Sequence, residues 1–161
     1  MNRAWRRKAA VAVSGACAVV VVSAGLGLTA GDASAQTPPQ AIAYRKGGMQ
    51  VQQWHLRTLV QMVKGARPFD SALYLRNVSI LESQAAATAE GFVAGSDSGD
   101  TRALPTVWSD SAGFKSAIDR FQAESAKAVA IAKGGDEKAM RNQALEIARA
   151  CDGCHEKFRS K

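Results

Sequence analysis

Beyond residue 35, the patterned stretches of this chain repeat their apolar residues at steps of three, four and seven, and none alternates them at steps of two. The first period belongs to a helix with one buried face, the second to a half-buried strand. Such a chain builds its core by packing helix on helix. Ile42, Met49, Leu56, Leu59, Val60 and Val63 form one stripe, which predicts a helix over 39–64, stopped by Gly65 with Pro68 just beyond. Asp70 or Ser71 caps a second helix running to about Ala89, with Leu73, Val78, Ile80, Leu81 and Ala85 as its apolar positions. A third opens near Ser111, carries Phe114, Ile118, Phe121, Ser125, Ala128 and Ile131 on one face, and ends at Gly134-Gly135. Asp136 caps a fourth, which runs through Met140, Leu145 and Ile147 to Phe158. The links are about 5, 20 and 2 residues. Short links make antiparallel neighbours, so the predicted fold is all-α, an up-down-up-down antiparallel four-helix bundle. The link over 91–110 is long enough to carry function or to cover something. Gly47-Gly48, inside the first helix, weakens it by up to about 1 kcal/mol per glycine relative to alanine. That pair predicts the close approach of something bulky.

The last helix contains Cys151-Asp152-Gly153-Cys154-His155, the pattern C-x-x-C-H. Two thiols three residues apart on a helical turn face one side. They can add across two vinyl groups on one edge of a porphyrin, and the next imidazole then reaches the iron. A thioredoxin-like redox pair needs a βαβ context, which is missing. A zinc site needs a further ligand, and beyond residue 35 the chain offers only His55 besides these three. The motif predicts one covalently attached haem c, with Cys151 and Cys154 as attachment points and His155 as the proximal iron ligand.

The first 35 residues read differently. Arg3, Arg6, Arg7 and Lys8 precede an apolar run from Ala9 to Leu28, and Ala33-Ser34-Ala35 is a small-x-small site before Gln36. This is the anatomy of a secretory signal peptide. It predicts export to the periplasm, with a single domain over 36–161 and no membrane attachment after cleavage. Cys17 lies within the leader and lacks the context of a lipid-anchored cysteine. The leader holds four of the 21 basic residues and one of the 14 acidic ones, so the net charge of +7 falls to +4 without it. The remaining charges are spread along the chain, which excludes a nucleic-acid partner. A mildly positive surface suits an acidic redox partner.

What occupies the other axial position decides what a haem here would do. Met49 lies on the apolar stripe of the first helix, where a thioether could ligate iron or simply fill the core. Met62 and Met140 read as ordinary packing. His55, six residues from Met49, falls on another face of the helix. Arg45, one turn before Met49, could pair with a haem propionate or stand in solvent. Trp54, Trp108, Phe69, Phe92, Phe114 and Phe121 read as core or haem-wall residues.

The chain resembles the cytochrome c′ family. The resemblance covers about Gln40 to Lys161. It rests on Tyr44-Arg45, on Val63-Lys64-Gly65 followed by Pro68-Phe69-Asp70, and on Gly99-Asp100. It continues through Pro105-x-x-Trp108-Ser109-Asp110, Phe114-Lys115, Ala150-Cys151-x-x-Cys154-His155 and Phe158-Arg159. It implies a four-helix bundle, commonly a homodimer, with haem c in its core and His155 as proximal ligand. It also implies that Arg45 and Lys46 lie by the propionates, that Asp100 and Thr101 approach the haem edge, and that Met49 occupies the distal position. Two departures stand out. The family's Leu-Pro-Trp end to the second helix is replaced by Ala89-Glu90-Gly91-Phe92-Val93, and Lys46 replaces a frequently amidic residue.

Two functions follow from the resemblance. With Met49 as a second axial ligand the protein is a one-haem electron carrier serving a redox partner. With Met49 off the iron, the haem is five-coordinate and binds a diatomic gas, NO or CO. No acid–base pair is placed for catalysis, so the expected role is not that of an enzyme.

Overall fold

The computed structural model describes residues 36–161, and the leader predicted over 1–35 lies outside the described residues. Four long helices carry the fold: α1 (Pro38–Val63), α2 (Ser71–Ala87), α4 (Ser111–Gly134) and α5 (Glu137–Phe158), with a short α3 (Thr106–Ser109) before α4. Each long helix begins where the sequence supplies a cap. Asp70, Asp110 and Asp136 accept from the backbone N–H of Leu73 at 2.8 Å, Gly113 at 3.0 Å and Ala139 at 3.0 Å. Such caps stabilise a helix by about 1 kcal/mol each. Gly135 ends α4 with a left-handed φ of 79°, a conformation open to glycine without strain.

Cross-helix contacts fix the directions. Arg45 meets Gly91 and His55 meets Asn77, so α1 and α2 run antiparallel. Gln143 meets Glu124 and Phe158 meets Phe114, which makes α4 and α5 antiparallel as well. Packing joins α1 to α2 and α5, and α4 to the same two, leaving α1 and α4 on one diagonal. The predicted bundle is the one found.

The links differ from expectation in detail. Helix α2 stops at Ala87 rather than Ala89, and a 3₁₀ turn over Thr88–Gly91 follows. The long link is not free-standing. Leu104 N–H donates to Phe158 O at 2.9 Å, and Ser160 N–H donates to Arg102 O at 2.8 Å. An isolated bridge between Ala103 and Arg159 thus stitches the link to the tail of α5.

The core is concentrated at one end of the bundle. Leu59, Met62, Tyr74, Val78, Leu81, Met140 and Ile147 are fully buried there, with Ala85, Ala128, Ala132 and Ala144 letting the helices approach. Met62 and Met140 are core residues, as expected. The Tyr74 hydroxyl donates to Met140 O at 2.7 Å, which satisfies the one polar atom that its ring carries inside.

Candidate haem site

The other end of the bundle is hollow. A cavity of about 600 Å³ lies between α1, α4, α5 and the long link. Its position follows from residue choice. Successive turns of α1 present Arg45, Met49, Gln52 and Leu56 to it, α4 presents Phe114, Ile118 and Phe121, and α5 presents Ala150, Cys151, Cys154, His155 and Phe158. Met49 and His155 therefore line one cavity from different helices, although they lie 106 positions apart. Lys46, Asp100 and Thr101 lie on its rim. His55 does not line it and is half-buried, with Nδ1 2.8 Å from Asn77 Oδ1.

The electrostatics of the motif follow from burial. Both cysteines are free thiols. Burial pushes Cys151 up to about 12, with Asp152 and Cys154 adding to the rise, and burial raises Cys154 too. The sulfurs are thus held as thiols rather than as the thiolates that a zinc site needs. Among the described residues no group of three metal-binding side chains gathers. Burial, then Arg159, lowers the pKa of His155, opposed by Asp152. Its imidazole is therefore neutral near pH 7, the form that ligates iron.

Arg45 does more structural work than its helix position suggests. It is 6% exposed, and burial lowers its pKa. Nη1 donates to Gly91 O at 3.0 Å and Ser96 Oγ at 2.7 Å, while Nη2 donates to Ser96 O at 2.6 Å and to Thr101 Oγ1. Four of its five N–H groups thereby tie α1 to the long link. Phe92 and Trp108 offer ring faces at 5.0 and 5.8 Å. Beside it, Lys46 pairs with Asp100 across the rim. Both are exposed, so the pair contributes at most about 1 kcal/mol.

Some expectations need correction. Trp54 belongs to neither core nor cavity wall: it is 72% exposed. Within the described residues nothing packs closely on Gly47-Gly48: a Cβ on Gly47 would meet nothing within 4 Å, and one on Gly48 only Gln84 Oε1 at 3.7 Å. The tight approach is at Gly91, whose added Cβ would lie 2.6 Å from Arg45 Cβ and 3.1 Å from the α1 backbone. Sequence reasoning also missed Gln52, Thr88 and Ser96, which are buried polar residues of this region. The polar Gln52 within the apolar stripe of α1 was the available signal.

The donor set suits haem. The two thiols and the neutral imidazole share a cavity whose lining also includes apolar and aromatic side chains and the cations Arg45, Lys46, Arg102 and Arg159. Comparison with known proteins agrees. A model of the family described as Cytochrome C′ matches residues 40–159. The cytochrome c′ of Rubrivivax gelatinosus is 36% identical over 127 residues, 78% of this chain and 98% of that protein, and its crystal structure superposes with a TM-score of 0.74. Cytochrome c prime from Shewanella frigidimarina is 31% identical over 79% of this chain and 99% of its own, with a TM-score of 0.76. A nitric oxide complex of a leucine-to-isoleucine mutant of cytochrome c prime from Alcaligenes xylosoxidans is 32% identical over 78% of this chain and 98% of its own, with a TM-score of 0.71. The family is itself a standard example of the up-down-up-down bundle. With its model spanning nearly all of the bundle, and relatives a third identical along the same length, this chain belongs to the cytochrome c′ family and has that family's cofactor, haem c.

Proposed function

We propose that the protein is a periplasmic one-haem electron carrier in which His155 and Met49 are the axial pair. In this reading Cys151 and Cys154 form the thioethers. Haem iron, when bound, supplies one-electron exchange between its ferric and ferrous states. The chain's own residues do the rest. Helix α5 supplies the neutral imidazole, and α1 supplies a half-buried thioether to the same cavity. Arg45 keeps the long link closed over the mouth, while Lys46, Asp100 and Thr101 border the haem edge. The observation that carries the reading is that Met49 and His155 line the same cavity. Export is supported by the leader. Among the described residues no helix is long and apolar enough to cross a membrane. The role is non-catalytic, with an unidentified redox partner.

The exposed face of α1 supports a homodimer. Tyr44, Val51 and Trp54 lie three and seven residues apart on it, 46%, 39% and 72% exposed, around Gly47 and Gly48. A second copy of this chain is the occupant proposed, and a single-chain mass for the haem-loaded protein in sedimentation would remove it.

A second reading, binding of a diatomic gas at an open distal position, draws support from the relatives, one of which is the nitric oxide complex above. The resting ferric spectrum separates the two. A low-spin spectrum with a sulfur-to-iron band near the red edge, abolished in Met49→Ala, is expected for the electron carrier. A high-spin spectrum in the unaltered protein sinks Met49 ligation and leaves the gas-binding reading.

A further inference from the structure

Three glutamines of α1 line the haem cavity, and one of them is unlike the others. Gln50 and Gln53 are exposed at the rim, whereas Gln52 is 8% exposed. A buried amide without partners costs roughly 1–3 kcal/mol by mutational data, so its bonding needs an account. Gln52 Nε2 donates to Thr88 Oγ1 at 2.9 Å, and Thr88 Oγ1 donates to the Gln84 carbonyl at 2.8 Å. This relay has a direction. A threonine hydroxyl has one proton. Thr88 gives it to Gln84 and can only accept from Gln52, so the amide nitrogen, not the oxygen, faces Thr88.

One N–H of Gln52 therefore stays free of protein partners. Gln52 Oε1 also has no protein partner, yet it is not among the fully buried unpartnered polar atoms of the described residues, Trp108 Nε1 and Ser125 Oγ, so this end of the amide reaches open space. Gln52 stands in the wall between the haem cavity and a shallower groove on the α1–α2 surface, together with Met49 and Thr88. Met49 is three residues earlier on the same helix, so thioether and amide are neighbours on one face. The two cations of α1 that line the cavity are engaged elsewhere. The Nη hydrogens of Arg45 are all used, and Lys46 is paired with Asp100.

We propose that Gln52 is a specificity-determining residue of the distal side. Its free N–H favours iron ligands whose outer atom accepts a hydrogen bond, such as cyanide or dioxygen, over carbon monoxide, a poor acceptor. Thr88 is the positioning residue that keeps this N–H turned inward. The proposal rests on the gas-binding reading.

The test uses haem-loaded protein with the distal position opened by Met49→Ala, so its outcome does not depend on whether Met49 ligates. Gln52→Leu is added to that background, because leucine cannot ligate iron. If Gln52→Leu fails to retain haem, Gln52→Ala makes the same comparison. Losing one hydrogen bond should weaken cyanide binding to the ferric protein roughly two- to twelve-fold. The C–O stretch of the ferrous carbon monoxide complex should move to higher wavenumber. Gln53→Leu, at the rim, should change neither. Equal cyanide affinity and an unmoved C–O stretch would overturn the proposal and turn the free N–H toward the outer groove. A Gln53→Leu variant that reproduces both shifts would overturn it too. Failure of the gas-binding reading looks different: the protein with Met49 intact takes up neither ligand, while Met49→Ala takes up both.

Discussion

The two ends of the bundle are built from the same four helices to opposite purposes. At the α1–α2 turn the helices meet through fully buried Leu59, Met62, Tyr74, Leu81 and Met140, and polar groups there close on one another. At the other end α1, α4, α5 and the long link border a cavity of about 600 Å³, and Arg45, Gln52, Thr88 and Ser96 are buried in that region. The packed end is stabilised by apolar burial, which is non-directional and tolerant of repacking. The hollow end is held by hydrogen bonds from one guanidinium to a link, an arrangement that depends on geometry. A haem site needs the second kind of order, because the cofactor, not side chains, fills that end.

The contrast can be broken or sharpened by substitution. Leu81→Ala removes a fully buried side chain from the packed end and should cost about 2–5 kcal/mol, read as a lower midpoint in chemical denaturation of the haem-loaded protein. Its haem spectrum should stay unchanged; an altered spectrum would show the two ends to be coupled. Gly91→Ala drives a methyl group into the backbone of α1, and overpacking of that kind costs about 1–3 kcal/mol. Here the spectrum should change along with the midpoint, since the Arg45 cluster moves with Gly91. Tyr74→Phe should have the smallest effect, about 1 kcal/mol for one lost hydrogen bond.

Tyr74 also carries a pH signature. Burial pushes its hydroxyl up to about 12 from an ordinary 10.0. The folded protein holds this proton more tightly than the unfolded chain does, so the contribution is full below pH 10 and is lost as pH rises through about 12. Alkaline titration of the unfolding midpoint should therefore be steeper in the native sequence than in Tyr74→Phe. Equal slopes would show that Tyr74 takes no part.

Much of this was legible in the sequence. The caps at Asp70 and Asp136 and the stops at Gly65 and Gly135 act over three or four residues. A local signal therefore marks each helix to within about two positions. Met62 and Met140 were readable as core from their place in the stripes. Trp54 was not readable as exposed, because composition says only that a tryptophan is usually buried, and a homodimer face would be an exception. Gly47-Gly48 and Gly91 show the same limit. All three are small, but only Gly91 faces another backbone, and that depends on where the turn after α2 is laid against α1.

The amino-acid order by itself determined four helices, their ends and a C-x-x-C-H motif that calls for haem. These are matters of period, cap and covalent chemistry within a few residues. Only the tertiary structure decided that Met49 and His155 look into one cavity, that Arg45 is occupied with the link, and that Gln52 donates to Thr88. Each of those joins residues 36 to 106 positions apart. A side chain's partner across such a distance is set by how helices pack, and no local pattern encodes it.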